Sequence, residues 1–383
     1  MNFNFEELLA DSVSERDLGW TLCFIGGEDQ SKKLTELTKH LRKGFSESGD
    51  GKEIPSGFAY WGITPTIAWA YACNDPLYLV MKEGIDSFEG RWRKIQSKLD
   101  INKYHYVSLG VGTGMKDKSI LRFFLNTNPE LLYFPVDMSS EMLRFGVQGV
   151  SKGLQIKGSQ ILPIQIDFSK PEGISDLRKL LDRVLDDKPI LFSLLGNTLA
   201  NFYGDIKVLQ TLSKLMHSED RFLIEVAVTK DLSHQSLQDA ATEYNSSKSF
   251  KEFVTSSLLQ HTDLDIDLNS VFFESSLEKP DKAILLKALY RNITGKSDKV
   301  MLLDRSTINF PDRDTIRLLL TRKYTHAGID KVVSESKLSI IDRINTLLEP
   351  YNSSKFGMDL ILLAPSGDVS KDEKTLADAV WKN

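Results

Sequence analysis

Apolar residues along this chain follow one rhythm between Tyr104 and Thr229 and others on either side. Within that stretch, short continuous apolar runs alternate with segments whose apolar residues recur every three or four positions. The runs "YHYVSLG", "LLYFPVD", "ILPIQID", "PILFSLLG" and "RFLIEVAV" predict buried strands. Between them, "DKSILRFFLNT", "SEMLRFGVQGV", "GISDLRKLLDRVL" and "DIKVLQTLSKLMH" predict amphipathic helices, the first capped by Asp117. Strands alternating with helices predict a parallel sheet covered on both faces, and right-handed crossovers make it a doubly wound, Rossmann-like α/β domain.

Upstream, "NFEELLAD", "SKKLTELTKHLRKGF", "TPTIAWAYACND" and "EGRWRKIQSKLD" read as helices, with "SESGDGKEIPSG" as a loop. Downstream, "DLSHQSLQDAATEYNSSKSFKEFVTSSLLQH" is helical. It is followed by "VFFESS", "AILLKALYRNI", "VMLLDRSTINF" and "TIRLLLTRKYT" as antiparallel strands. "INTLLEP" and "FGMDLILLAP" then return to the first sheet. The expected division is a cofactor domain of residues 58–228 and 329–383, with a substrate-recognition α+β domain of residues 1–57 and 229–328.

Composition changes this picture only by exclusion. A net charge of −5 lacks the basic footprint of a nucleic-acid-binding protein. Cys23 and Cys73 stand far apart without metal-ligand spacing, as expected of thiols in a reducing compartment. The acidic start "MNFNFEELLADSVSERD" has no apolar signal core, and no apolar run approaches the ~20 residues that span a bilayer. A cytoplasmic protein without membrane or nucleic-acid partners is expected, with the oligomeric state open. The six histidines form no H-x-x-x-H pair, so no metal site is expected.

The candidate chemistry lies at the strand ends, where doubly wound sheets bind ligands. Gly110, Gly112 and Gly114 make a turn after the first strand, but Met115 stands where a dinucleotide fingerprint needs its third glycine. The second strand ends in Asp137, suited to accept two ribose hydroxyls or to cap the next helix. The third ends in Asp167 and Phe168, an acid and a ring suited to adenine, or again a cap. Together these suit a nucleoside without a phosphate chain, S-adenosylmethionine, over a dinucleotide. The fourth strand runs into "LLGNTLANFYGD", where Gly196, Asn197, Thr198 and Asn201 should border cofactor and substrate. Asn201 could orient an amine or simply close an Asx-turn.

These motifs resemble the histidine-specific, S-adenosylmethionine-dependent methyltransferase family. Its best-known activity is N-methylation of the histidine α-amine in ergothioneine biosynthesis, and fungal relatives methylate the α-amine of a prenylated tryptophan. "LGVGTGMKDK" is similar to the family's glycine turn with its lysine, here Lys116; "VDMSSEML" to its ribose acid; "IDF" to its adenine pair. "LGNTLANF" is similar to its G-[SN]-T-x-x-N-[FL] loop, which implies that Asn201 holds the substrate amine. "FAYWG" is an altered form of F-Y-D-x-x-G, with Tyr60 as the implied substrate tyrosine. Histidine-selective members carry I-R-x-E-x-S-x-K-F, whose glutamate and serine grip the imidazole. This chain reads "IRLLLTRKY", with Leu319 and Thr321 at those two substrate positions. A leucine cannot accept a ring N–H, and an unmade buried hydrogen bond costs about 1–3 kcal/mol. The resemblance therefore implies N-methylation of a small amine, an amino acid or derivative other than histidine. O-methylation and a non-catalytic cofactor sensor are the alternatives.

Overall fold

The computed structural model describes residues 22–25, 30–43, 51–78, 85, 87–99, 104–185, 188–278, 280, 282–348 and 355–366. The expected helix "NFEELLAD" lies outside them. Seven strands come first in the chain: β1 (Cys23–Phe24), β2 (Lys52–Glu53), β3 (His105–Leu109), β4 (Tyr133–Asp137), β5 (Ile164–Gln165), β6 (Ile190–Leu194) and β7 (Arg221–Thr229). Then follow β8 (Val271–Glu278), β9 (Ala283–Arg291), β10 (Asp298–Met301), β11 (Thr307–Phe310), β12 (Thr315–Tyr324), β13 (Leu338–Asn345) and β14 (Phe356–Pro365).

Strands β5, β4, β3, β6 and β7 run parallel in that order, and β14 and then β13 close the side beyond β7 antiparallel. The chain winds outward from β3 to β4 and β5, then crosses back to β6 and β7. The order thus reverses between β3 and β6, where such sheets open a ligand crevice at their carboxyl ends. The apolar runs are buried because helices cover both faces: every residue of β3, β4 and β6 is buried. Val107 and Leu109 pack on one face with Phe134, Ile164 and Leu177, whereas Tyr106 packs on the other with Tyr133, Ile120 and Phe124. This is the alternation a twofold strand period imposes. The Pro171–Leu185 helix buries Ile174, Leu177, Leu181 and Leu185 at helical spacing, each worth about 1.5–3 kcal/mol when removed from water.

A second antiparallel ribbon, β8–β9–β12, meets this sheet through one pair, Tyr324 with Val228. Strand β2 adds parallel to β12, Lys52 opposite Ile316 and Glu53 opposite Arg317. The ribbon, the Ile63–Cys73 helix and the helices His234–Ser246 and Lys248–His261 share a core rich in rings. Trp69 and Phe253 lie 4.9 Å apart, Tyr78 and Phe250 4.6 Å, and Tyr244 stacks on Phe273 at 5.6 Å. Such pairs contribute about 0.5–1.5 kcal/mol each beyond area burial.

Three local expectations are corrected. Asp117 is no cap: the helix starts at Met115, and Gly114 at φ 72° takes the cap position. Asp117 instead lies buried, accepting hydrogen bonds from Tyr106 (2.7 Å) and Tyr133 (2.6 Å), and so ties helix to sheet. The helix after β4 is capped by Ser139, which accepts from the Met142 amide, and not by Asp137. "VMLLDRSTINF" is a hairpin, β10–β11, because Asp304, Arg305 (φ 63°) and Ser306 turn the chain back.

Candidate active site

The crevice above β3 and β6 deepens into a cavity of about 520 Å³. One end is built from strand tips. Gly110, Gly112 and Gly114 all line it with positive φ (75°, 53° and 72°), which only glycine adopts without strain. Gly114 answers a second demand as well: a Cβ there would lie 2.2 Å from the Gly146 carbonyl oxygen of the Ser140–Ser151 helix, which follows β4. Gly146 and Gly149 let that helix approach the turn, a partnership that the motif pattern does not reveal.

Asp137, Asp167 and Phe168 line the same end. Burial pushes the Asp137 carboxyl up to about 7; the amides of Ser139 (3.0 Å) and Met138 offset only part of this, and Asp167 adds to it. This is a buried carboxyl suited to hydroxyl donors. At Asp167 burial also raises the pKa, but the Lys33 ammonium, 2.5 Å away, and the Ser169 hydroxyl outweigh it, so the group stays below its ordinary value. Lys33 comes from the Gln30–Arg42 helix, far away in sequence, and no motif marks it.

The loop after β6 carries Gly196, Thr198 and Asn201 onto the cavity wall. Asn197 is not on the wall. Its side chain donates to Thr321 Oγ1 and the Arg322 carbonyl (both 3.1 Å) and accepts the Ala227 amide (2.8 Å), stitching the loop to β7 and β12. Those bonds hold its left-handed backbone, φ 64°. Arg322 locks the rest of the loop, donating to the carbonyls of Ala200, Phe202 and Tyr203 while paired with Glu278. Neither Arg322 nor its role stands out in the sequence.

Asn201 and Tyr60, 141 residues apart, meet: the Asn201 amide donates to the Tyr60 hydroxyl oxygen at 3.1 Å. The Tyr60 ring packs against Trp69 (5.2 Å) and Phe253 (5.0 Å), and burial holds its hydroxyl well above the usual phenol range. The lining of the same cavity also includes Trp69, Phe58, Ile85 and Leu320, together with Arg317 and Glu53, bridged at 2.9 Å.

Leu319 and Thr321 are not on this wall. Leu319 is buried in the aromatic core, and Thr321 is the partner of Asn197. The ladder between β12 and β9 shifts register between Arg317 and Leu319. One extra residue reverses the side-chain alternation, so Arg317 and Leu320 share the cavity face while Leu319 turns inward.

Lys116 lines the cavity where the glycine turn ends, and behind it lies Glu225 of β7, fully buried. Glu225 pairs with Lys116 and, at 2.7 Å, with Arg91. Burial raises its pKa, but the two cations more than reverse this and hold it below the carboxylate range. The sequence signal was a lone acid in an otherwise apolar strand, "RFLIEVAV". Among the described residues no group of His, Cys, Asp and Glu is placed to hold a metal, and no helix is long and apolar enough to cross a membrane. Cys23 and Cys73 are both buried and unbridged.

Residues 37–347 match the family model described as histidine-specific methyltransferase, SAM-dependent. No curated protein matches the chain in sequence. Solved structures that it resembles include an S-adenosylmethionine-dependent methyltransferase from Clostridium acetobutylicum, 15% identical, covering 75% of this chain and 92% of that one, TM-score 0.37. Magnesium protoporphyrin IX methyltransferase from Synechocystis with bound SAH is 11% identical, with coverage of 80% and 97% and TM-score 0.41. The glycopeptide N-methyltransferase MtfA complexed with SAM is 10% identical, with coverage of 74% and 94% and TM-score 0.36.

Proposed function

This chain belongs to the histidine-specific, S-adenosylmethionine-dependent methyltransferase family, and on that premise we propose that it methylates the amine of an amino acid or derivative other than histidine, in the cytoplasm. The observation that carries this reading is the Asn201–Tyr60 pair, facing the same cavity as the glycine turn. When bound, S-adenosylmethionine supplies an electrophilic methyl group on a sulfonium sulfur.

The residues present fit that cofactor. Asp137 is a buried carboxyl suited to ribose hydroxyls, and the three side-chain-free positions at 110, 112 and 114 leave backbone for its amino-acid end. Gly196, Thr198 and Lys116 would border that end, and Asp167 with Phe168 would take the adenine.

For the chemistry, Asn201 and Tyr60 would orient the amine, and orientation is most of what an in-line displacement asks of a protein. With its amide turned to Tyr60, Asn201 has its carbonyl oxygen as the acceptor for an amine N–H. Tyr60 stays protonated and acts as a hydrogen-bonding group, not a base. The amine attacks as the neutral base, and its ammonium proton passes to solvent before transfer, so Tyr60 does not have to accept it. The apolar wall further favours the neutral amine. Arg317, which also pairs with Glu53, supports an amino acid over a bare amine, because its planar fork suits a carboxylate. Leu320 on the wall supports an apolar side chain over imidazole, whose N–H it could not accept. The proposed division is residues 58–228 with 329–383 for the cofactor and 1–57 with 229–328 for the substrate, although β1 pairs with β5 of the first sheet and the Ile63–Cys73 helix shares the ribbon's core.

The test is incubation of the purified protein with S-adenosylmethionine and a panel of amino acids, their prenylated and decarboxylated forms, and hydroxylated analogues, with mass detection. Methylation on nitrogen of an amino acid other than histidine is the expected result. Methylation on oxygen only, or selective methylation of histidine, would overturn it. Cofactor binding without any turnover would indicate the sensor alternative.

A further inference from the structure

We infer that Glu225 is a positioning residue for the cofactor's amino-acid end, acting through Lys116 and the Gly196 amide. Its carboxylate is fully buried in the middle of β7, where a charge costs several kcal/mol in the absence of partners. The partners are specific. Oε2 takes the Lys116 ammonium and, at 2.8 Å, the Gly196 N–H, while Oε1 takes Arg91 from the Phe88–Ile95 helix at 2.7 Å. Its own carbonyl accepts the Asn197 amide at 3.1 Å.

Lys116 lies in the first turn of the helix after β3, and Gly196 lies in the loop after β6. These two turns flank the switch point, and both residues line the cavity. Glu225 does not line it. One carboxylate therefore joins the two turns from behind and decides where the lysine ammonium stands. Lysine has four rotatable carbons and no preferred direction of its own, so a fixed counter-charge is what orients it. A hydrophobic residue at 225 would extend the apolar run of β7 but would leave Lys116 and Arg91 buried without this acid. The retained charge thus serves the cavity side of the strand.

The inference rests on the reading that the cofactor's carboxylate lies at Lys116, and the test separates the two. Affinities for S-adenosylhomocysteine and for 5′-methylthioadenosine, which lacks the amino and carboxyl groups, are measured by calorimetry. In Glu225→Gln the amide can still accept the Gly196 N–H but no longer pairs with Lys116. Its affinity for S-adenosylhomocysteine is expected to fall about tenfold or more, the weight of a charged hydrogen bond, with methylthioadenosine unchanged within about twofold. Lys116→Gln is expected to show the same split, and the double variant to be no weaker than either single one. Equal loss for both ligands in Glu225→Gln, or no loss for S-adenosylhomocysteine, overturns the inference. No loss in Lys116→Gln overturns the underlying placement of the cofactor carboxylate. Glu225→Asp, which keeps the charge but shortens its reach, is expected to show the split at smaller size; failure of both variants to fold would make Glu225 merely structural and overturn the proposal.

Discussion

The two ends of the cavity are built by different means. At the cofactor end, Gly110, Asp137 and Asp167 sit at or just past the tips of neighbouring parallel strands, which the ladder holds in register. At the opposite end, the wall is gathered from a short turn at Ser56–Tyr60, the Ile63–Cys73 helix, the loop after β6 and the bulged strand β12. The first end depends on a repeating backbone pattern, so a short motif suffices to recognise it. The second depends on packing between distant segments, where one residue of register decides which side chain faces the ligand.

Five substitutions would break or sharpen this contrast. The largest effect is expected for Leu319→Ala, a core cavity costing about 2–5 kcal/mol. Leu320→Ala, one residue on, should instead change KM for the amine with little loss of thermal stability. Denaturant melts and kinetics on both variants check this; the reverse pattern would put Leu319 on the wall and break the register argument.

Next, Asn201→Ala should lower turnover about 100-fold, in the range of a lost orienting group. It should leave S-adenosylhomocysteine affinity within about twofold, read by calorimetry. A joint fall in both would mean that the two ends are not separable.

Asp137→Asn should weaken S-adenosylhomocysteine about tenfold, the value of a charged hydrogen bond. The wild type carries a pH signature with it. Ribose hydroxyls donate to the ionised carboxylate, whereas burial raises Asp137 to about 7 in the free protein. Below pH 7 binding must expel a proton, so affinity should rise with pH up to about 7 and level off above it. For the free protein the sign is opposite. The raised pKa contributes stability that is fully present below about pH 4 and lost as pH rises through 7. Calorimetry from pH 5.5 to 8.5 on wild type and Asp137→Asn reads the difference, and a flat wild-type profile would remove Asp137 from the ribose site. The smallest effect is expected for Tyr60→Phe, a several-fold loss of turnover worth about 1 kcal/mol, since Asn201 would keep its place through Arg322. An unchanged rate would leave Tyr60 as packing only.

Much of the fold was legible because the strands at 105–109, 133–137, 190–194 and 221–229 are continuous apolar runs that only a doubly covered sheet can bury. Asp117 was misread because its value as a cap is local, whereas the two tyrosine hydroxyls that claim it come from β3 and β4. Asn197 belonged to a recognisable loop, yet its side chain serves β7 and β12. Glu225 and Arg322 gave at most a faint signal, a charge within an apolar run, because the meaning of a buried charge lies in its partners.

By itself, the sequence determined a doubly wound parallel sheet and the chemical types at its strand ends, since twofold and 3.6-fold periodicity and glycine's freedom act within a few residues of one another. Tertiary structure alone decided that Tyr60 meets Asn201, that Leu320 and not Leu319 faces the cavity, and that Glu225 stands behind Lys116. Those outcomes follow from a bulge in one ladder and from the demand that each buried charge find a partner, and neither is a property of any short stretch of chain.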